Sequence, residues 1–474
     1  IEKGLQMDPK SLSARTLFDR LPFELTRDQK KVIREISRDM SSPEPMNRLL
    51  QGDVGSGKTI VAALSMLVAV DNGFQTLIIA PTEILAEQHY HSFKNMLKDL
   101  DIEIVQLLGG QRAKARRQIL ESIESGKAKV IIGTHALFES TVHYNMLGLI
   151  VIDEQHRFGV AQRAKLKKLA ELSYPVSKLT PDVLVMSATP IPRTLSLTVY
   201  GDLDVSIIKQ MPAGRKPIRT KVVFEKELPE VFEFIRSEIE AGRQAFIVYP
   251  LVEKSEKIDL KSAVEHFETI DNEIFHDLKC GLIHGQMFWY EKEEVMQGFL
   301  DKEYDVLVAT TVIEVGIDVP NASVMLIENS ERFGLSQLHQ LRGRVGRGDQ
   351  QSYCLLATKD NFKYQFSKKS KNDDERINAV IRLKTMEEST DGFRIAEVDM
   401  ELRGPGDVLG TRQSGLPSFR FLDIIRDVDI ISSAKNLADE IITDDPHLRK
   451  AKNSLLKEEY MRKYSKDSNY FDTA

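Results

Sequence analysis

An α/β fold of two tandem domains, each a parallel sheet flanked by helices, is predicted by three features of this sequence. Short apolar runs alternate with helical patterns along most of the chain, the signature of parallel strands joined by crossover helices. That alternation breaks at Met211-Pro212-Ala213-Gly214-Arg215-Lys216-Pro217, an exposed linker composition, and then resumes. At 474 residues the chain is too long for one ordinary core.

The composition is that of a soluble globular protein, with 42% hydrophobic and 29% charged residues, and no stretch approaches the apolar length of a membrane span. A net charge of −6 does not advertise nucleic acid. Net charge does not report local fields, however, and a basic groove is compatible with it. Cys280 and Cys354 lie far apart, lack metal-ligand spacing and are expected to be small buried hydrophobes, which fits a cytosolic compartment. The chain begins at Ile1 without an initiator methionine, as expected of a piece of a longer protein.

In chain order, residues 1–20 read as a polar, weakly patterned lead-in. Thr26 and Gln29 then have the spacing of a capping box at the start of a helix. The same residues allow a second reading, in which Gln29 reads an adenine edge and Phe23 packs on the base. An apolar run ending at Leu50 reads as a buried strand, and Ile60 to Val70 as a helix. Between them Gly52, Gly57, Lys58 and Thr59 satisfy G-x-x-x-x-G-K-[ST], a phosphate loop that also contains Gly55. Its backbone N–H groups wrap phosphates, Lys58 reaches the β- and γ-phosphates, and the Thr59 hydroxyl ligates Mg²⁺. The helix adds its N-terminal dipole.

Further strands are expected at Thr76–Ala80, Glu103–Leu107, Val130–Gly133, Leu149–Asp153 and Val183–Ser187. Each delivers its last residue to the carboxyl edge, where open α/β sheets bind ligands. Asp153 and Glu154 emerge there together: Asp153 is suited to hold Mg²⁺ through water, and Glu154 to polarise an attacking water. Ser187 and Thr189 read either as sensors of the γ-phosphate or as a plain strand-to-turn transition.

After the linker, strands are expected at Arg219–Phe224, Ala245–Tyr249, Gly281–His284, Asp305–Ala309, Val324–Glu328 and Tyr353–Ala357. This half contains no second phosphate loop, so it is expected to contribute residues to the nucleotide held by the first. Arg344 and Arg347, three apart, would face the same way on a helix. Their planar guanidinium groups suit the spread charge of a phosphoryl-transfer transition state.

These pieces, in this order, resemble the superfamily 2 helicases and translocases from Leu21 to Gly348. The resemblance implies two RecA-like domains. Pro81-Thr82-Glu83 and Gly133-Thr134-His135 match backbone-gripping motifs of the first domain, and Ala309 to Pro320 matches the coupling motif of the second. That assigns Pro81, Thr82, Thr134 and Thr310 to DNA, and Gly316 and Asp318 to the nucleotide. Asp153-Glu154-Gln155-His156-Arg157-Phe158-Gly159-Val160, in place of Asp-Glu-Ala-Asp, is similar to the RecG family, and places His156 among the coupling residues. Met400 to Gly415 is similar to a translocation motif that this family shares with the transcription-repair coupling factor. There the motif is a loop after a helical hairpin, for which Glu375–Glu388 is the candidate, and Arg403 and Gln413 are the carried-over residues.

The resemblance implies an ATP- and Mg²⁺-dependent motor on duplex and branched DNA, forks and Holliday junctions included. It further implies a bacterial, cytoplasmic, nucleoid-associated monomer with single-stranded DNA-binding protein as a partner and no membrane contact. Expected domains are 1–20 as lead-in, 21–212 as the ATP-binding domain, 213–360 as the second domain, and 361–474 as a C-terminal hairpin and loop extension. The family's N-terminal wedge domain has no counterpart before Leu21. A straight-duplex translocase, an RNA helicase and a nucleotide-dependent binding module are the alternatives.

Overall fold

The computed structural model describes residues 3–154, 179–187, 203–212, 216–250, 264–310, 319–363, 374–408 and 427–464. The stretch expected as an unpatterned lead-in is folded. A two-residue strand, β1 (Lys3–Gly4), is followed by helix α1 (Leu12–Arg20), whose N-cap Ser11 accepts a hydrogen bond from Ala14 N. The Asp71 carboxylate accepts from the Ser11 hydroxyl at 2.7 Å and from Ser13 N at 2.9 Å, fastening this helix to the end of the helix Lys58–Asp71. Leu17 is its single buried side chain, so little apolar periodicity betrayed the helix in the sequence.

Next come α2 (Arg27–Met40), β2 (Asn47–Gly52), α3 (Lys58–Asp71), β3 (Gln75–Ile79), α4 (Glu83–Met96), β4 (Glu103–Leu107), α5 (Ala113–Glu124), β5 (Ala128–Gly133) and β6 (Leu147–Ile152). Strands β7 (Leu179–Thr180), β8 (Asp182–Ser187) and β9 (Asp204–Ile208) complete this half, with β7 pairing β1. The sheet runs β4-β5-β3-β6-β8-β2-β9, parallel throughout. The expected apolar runs form strands with ends shifted by two residues at most, whereas β7 and β9 are additions.

Successive strand residues point to opposite faces. Leu50 and Ile78 join a core with α2, α3 and α4, while Leu49 and Leu77 join a second core on the other side with Ile123 of α5. Helix α3 is buried from Val61 to Ala69 because the sheet lies on one side of it and α1 and α2 on the other. A helix apolar all round needs such a sandwich.

The second sheet contains β10 (Arg219–Phe224), β11 (Gln244–Tyr249), β12 (Cys280–Ile283), β13 (Val306–Thr310), β14 (Ala322–Ile327) and β15 (Tyr353–Thr358). All its pairs are parallel, in the order β10-β15-β14-β11-β13-β12. Helices α6 (Leu228–Glu240), α7 (Trp289–Leu300) and α8 (Leu335–Arg342) accompany it. The C-terminal part contains α9 (Asp374–Glu388), α10 (Gly392–Val408), α11 (Val428–Asp444) and α12 (Ser454–Tyr464). Leu383 and Met386 of α9, with Ile395 and Val398 of α10, enter the core of the second sheet. Each such burial contributes roughly 1.5–3 kcal/mol, which docks the α9–α10 hairpin firmly.

One expectation is corrected here. Met400 to Val408, read as the start of a glycine-rich loop, belongs to α10, which runs through Gly404-Pro405-Gly406 to the last described residue, Val408. The rest of that motif, with Gln413, lies outside the described residues.

Candidate nucleotide site

The loop from Gly52 to Thr59 joins β2 to α3, as the sequence requires of a phosphate cradle. Gly55 and Gly57 have φ of 78° and 85°, left-handed values that exclude ordinary side chains. At Gly57 the exclusion is doubly enforced, because a Cβ would lie 2.2 Å from Gln29 Nε2. Gln29 is 1% exposed and both ends of its amide are used. Its Oε1 accepts from Thr26 N at 2.8 Å, which with Gln29 N on Thr26 Oγ1 makes the capping box, and its Nε2 donates to Ser56 O at 2.8 Å. In this structure Gln29 therefore braces the phosphate loop. Phe23, 44% exposed, lines a shallow pocket of about 660 Å³ with Phe18, Pro22 and Lys30.

Lys58 is buried, and its Nζ donates to Gly52 O at 2.8 Å and Asp53 O at 3.0 Å. Burial pulls its pKa below the ordinary lysine value, the carboxylates of Glu154, Asp153 and Asp53 oppose that, and Arg347 adds to it. Thr59 is half-buried one residue into α3. Asp153 leaves the end of β6 with its N–H on Ile79 O, and its Oδ2 lies 2.8 Å from His89 Nε2. Burial alone would raise this carboxyl, but the bond from His89 and the Lys58 charge hold it below the usual carboxylate range. Glu154 takes φ of 54°, rare for a residue with a side chain, and its N–H donates to Asp153 Oδ1 at 3.1 Å. The donor set of Thr59 and Asp153 is hard oxygen and small, which fits Mg²⁺, an ion that keeps waters and shares substrate phosphates. Among the described residues no larger group of metal-ligating side chains occurs.

The second domain reaches this loop. His339 Nε2 lies 2.8 Å from Asp53 Oδ1, and Arg342 Nη2 lies 2.9 Å from His339 Nδ1. Arginine can only donate, so Nδ1 accepts and Nε2 carries the proton given to Asp53. Arg342 is 3% exposed and also donates to the carbonyls of Met386 at 3.1 Å, Ser389 at 2.7 Å and Thr390 at 3.4 Å, at the end of α9. The phosphate loop, α8 and the C-terminal hairpin are thus joined by one chain of hydrogen bonds. A cleft of about 420 Å³ opens beside it, lined by Asp53, Val54, His339, Arg342 and Phe393 among others. Gly343 comes so close that a Cβ there would lie 3.0 Å from Val54 Cβ.

Arg344 and Arg347 do not share a helix face. Helix α8 ends at Arg342, and Gly346 turns the chain with φ of 76°, so both arginines lie on the turn beyond it. Arg344 is buried, and Arg347 donates from Nε to Gly343 O at 3.3 Å while lying within electrostatic reach of Lys58.

At the carboxyl edges, Thr82 follows Pro81 and N-caps α4. Thr134, Ser187 and Thr310 are each about 2% exposed or less at their strand ends. The hydroxyls of Thr134 and Thr310 are buried without a hydrogen-bond partner among the described residues. Arg403 falls within α10, while His156, Thr189, Gly316 and Asp318 lie outside the described residues. Sequence reading passed over His89, Asp53, His339 and Arg342. His339 and Arg342 are three apart on one helix, the very spacing applied instead to the two arginines beyond it.

Three family models match in succession: DEAD/DEAH box helicase over residues 26–198, helicase conserved C-terminal domain over 227–349, and ATP-dependent DNA helicase RecG, domain 3, C-terminal over 389–470. ATP-dependent DNA helicase RecG of Synechocystis is 50% identical over 91% of this chain and 49% of its own length. Its counterpart from Streptococcus pneumoniae is 48% identical over 93% of this chain and 63% of its own. The chain thus spans between about half and two thirds of the curated relatives it matches. Among solved structures, RecG bound to a three-way DNA junction superposes with a TM-score of 0.72 at 45% identity, covering 90% of this chain and 53% of that one. The DEAD-box helicase Mss116 bound to single-stranded RNA shares the fold alone, with a TM-score of 0.58 at 18% identity over 89% of this chain and 95% of that one. With two RecA-like helicase domains followed by a RecG-type C-terminal region, the chain belongs to the RecG helicase family.

Proposed function

We propose that the chain is an ATP-driven motor on duplex DNA that acts at branches such as stalled forks and Holliday junctions, in recombination and repair. The observation that carries this reading is the hydrogen-bonded chain from Asp53 through His339 and Arg342 to the carbonyls ending α9, because it ties the phosphate loop to the C-terminal hairpin. In this reading, residues 21–212 bind ATP, 213–360 form the second motor domain and 361–474 the extension. A monomer in the bacterial cytoplasm, at the nucleoid and within reach of single-stranded DNA-binding protein, is the form we assign to it.

ATP lies between the two domains. Lys58 releases the Gly52 and Asp53 carbonyls to meet the β- and γ-phosphates, while Gly52, Gly55 and Gly57 let the backbone approach them. Phe23 and Gln29 border the base. Thr59 and Asp153 would hold Mg²⁺, which would neutralise phosphate charge. Glu154 orients the attacking water, and Arg344 and Arg347 approach from the second domain to stabilise the transition state. Ser187 and Thr189 sense the γ-phosphate, and Gly316 and Asp318 are assigned to the nucleotide. Domain closure and reopening shift Pro81, Thr82 and Thr134 relative to Thr310 along the DNA backbone. His156, Arg403 and Gln413 convert that shift into duplex movement. Grip through phosphates is sequence-independent and weakens steeply with salt.

The test is phosphate release measured side by side with no DNA, linear duplex and a four-way junction. Stimulation greatest on the junction is expected. Equal stimulation by linear duplex would favour a straight-duplex translocase, and a rate indifferent to DNA would overturn the proposal.

A further inference from the structure

We propose that His89 is a positioning residue for ATP hydrolysis, which sets the Asp153 carboxylate according to whether DNA is held at Thr82. The proposal rests on the motor reading above, in which Thr82 meets the DNA backbone and Asp153 the metal, and adds the part that joins the two.

His89 stands where an apolar side chain is expected. Helix α4 buries Leu85, Ala86 and Phe93 at the three- and four-residue spacing of one face, and His89 falls on the same stripe. A polar ring buried there costs free energy unless it is hydrogen-bonded. Its bond is to the end of β6: Nε2 lies 2.8 Å from Asp153 Oδ2, with the two residues 7% and 9% exposed. An ionised carboxylate only accepts, so Nε2 is the donor.

That bond fixes the direction of the carboxylate. Its other oxygen, Oδ1, accepts from Glu154 N at 3.1 Å, a contact between adjacent residues. The last torsion of an aspartate is broad, so this local bond leaves the group room to turn. With His89 on Oδ2, each oxygen has one donor and keeps its remaining lone pairs for a metal or the waters around it. Such partners of metal-binding carboxylates are typically worth roughly 10- to 100-fold in metal affinity or activity.

The same helix begins at the residue assigned to DNA. Thr82 N-caps α4, its hydroxyl accepting from Leu85 N at 3.4 Å, and lies about 10 Å along the axis from His89. Just before Thr82, Ile79 O of β3 accepts from Asp153 N at 2.9 Å. Asp153 is thus bonded through its backbone to the strand that leads into the Thr82 turn, and through its side chain to the helix that leads out of it. When the turn shifts to grip a DNA backbone, α4 moves as a rod and carries the ring on Oδ2 with it.

The experiment uses Mn²⁺ as the metal probe, its binding to the full chain with ADP read by electron paramagnetic resonance, with and without duplex DNA, alongside phosphate release. Parent, His89→Ala and His89→Gln are compared, the glutamine keeping an N–H donor for Asp153. DNA should tighten Mn²⁺ binding and stimulate release in the parent. His89→Ala should bind Mn²⁺ about tenfold more weakly and lose both responses to DNA while its duplex affinity stays within twofold, and His89→Gln should recover most of each. Parental Mn²⁺ affinity in His89→Ala, a parental response to DNA in that variant, or equal defects in alanine and glutamine would overturn the proposal. A parent whose phosphate release ignores DNA would sink the motor reading and the coupling with it, whereas Mn²⁺ affinity without DNA still decides whether His89 positions Asp153.

Discussion

Replacing Arg342 by lysine isolates the link between the nucleotide site and the hairpin. The guanidinium donates to Ser389 O at 2.7 Å, Met386 O at 3.1 Å and His339 Nδ1 at 2.9 Å from a position 3% exposed to solvent. Lysine keeps the charge but is a single point donor, and it cannot span α8 and the end of α9 together. At least two charge-assisted bonds are lost, each worth roughly 1.5–3 kcal/mol, so local opening of the α9–α10 turn becomes easier by about 3 kcal/mol or more. At about 1.4 kcal/mol per decade, amide exchange at Ser389 to Ile395 accelerates roughly 100-fold. Lys58, Asp153 and Glu154 are untouched, so ATP turnover persists, while duplex movement per ATP falls. Measured by hydrogen exchange alongside strand displacement, unchanged exchange at the turn together with unchanged movement would refute this linkage.

Asp182 supplies a pH test. It is 1% exposed, its Oδ1 accepts from Met46 N at 2.7 Å, and burial pushes its carboxyl up to about 7. A folded-state value above the unfolded one means that the native protein holds the extra proton. The stabilisation is complete below about pH 4 and is lost as pH rises through 7. Asp182→Asn keeps the acceptor and stays neutral, so by about 1.4 kcal/mol per pH unit its stability gain over the parent should grow from near zero at pH 4 to as much as ~4 kcal/mol at pH 8; a gain that does not vary with pH in urea titrations would refute the assignment. Arg347→Ala should spare nucleotide binding and slow hydrolysis on the order of 10³-fold, as expected of an arginine finger. Loss of binding with an unaltered rate in the bound state would point to a structural role.

The sheets were legible because parallel strands buried on both faces leave continuous apolar runs, such as Leu147–Ile152 and Val306–Thr310. Helix α1 was not, since it buries one leucine and is held mainly by polar bonds to Asp71. The phosphate loop and the Asp153–Glu154 pair were legible because their chemistry is written in consecutive residues. The contacts that join the domains were not: Asp53 and His339 are 286 residues apart, and their pairing depends on how two folded units meet. Gly343 and Gly346 explain the misplaced arginines. Gly343 lacks the Cβ that would crowd Val54 at the end of α8, and Gly346 turns the chain beyond it.

ATP-dependent displacement of a third strand from a DNA triplex, compared between the parent and Lys58→Ala, tests the proposed motor most directly. An ATP-driven duplex translocase should displace the strand only with ATP, and the variant should bind the same DNA yet leave the strand in place. Displacement by Lys58→Ala at the parental rate, or none by a parent that hydrolyses ATP on the same DNA, would contradict it.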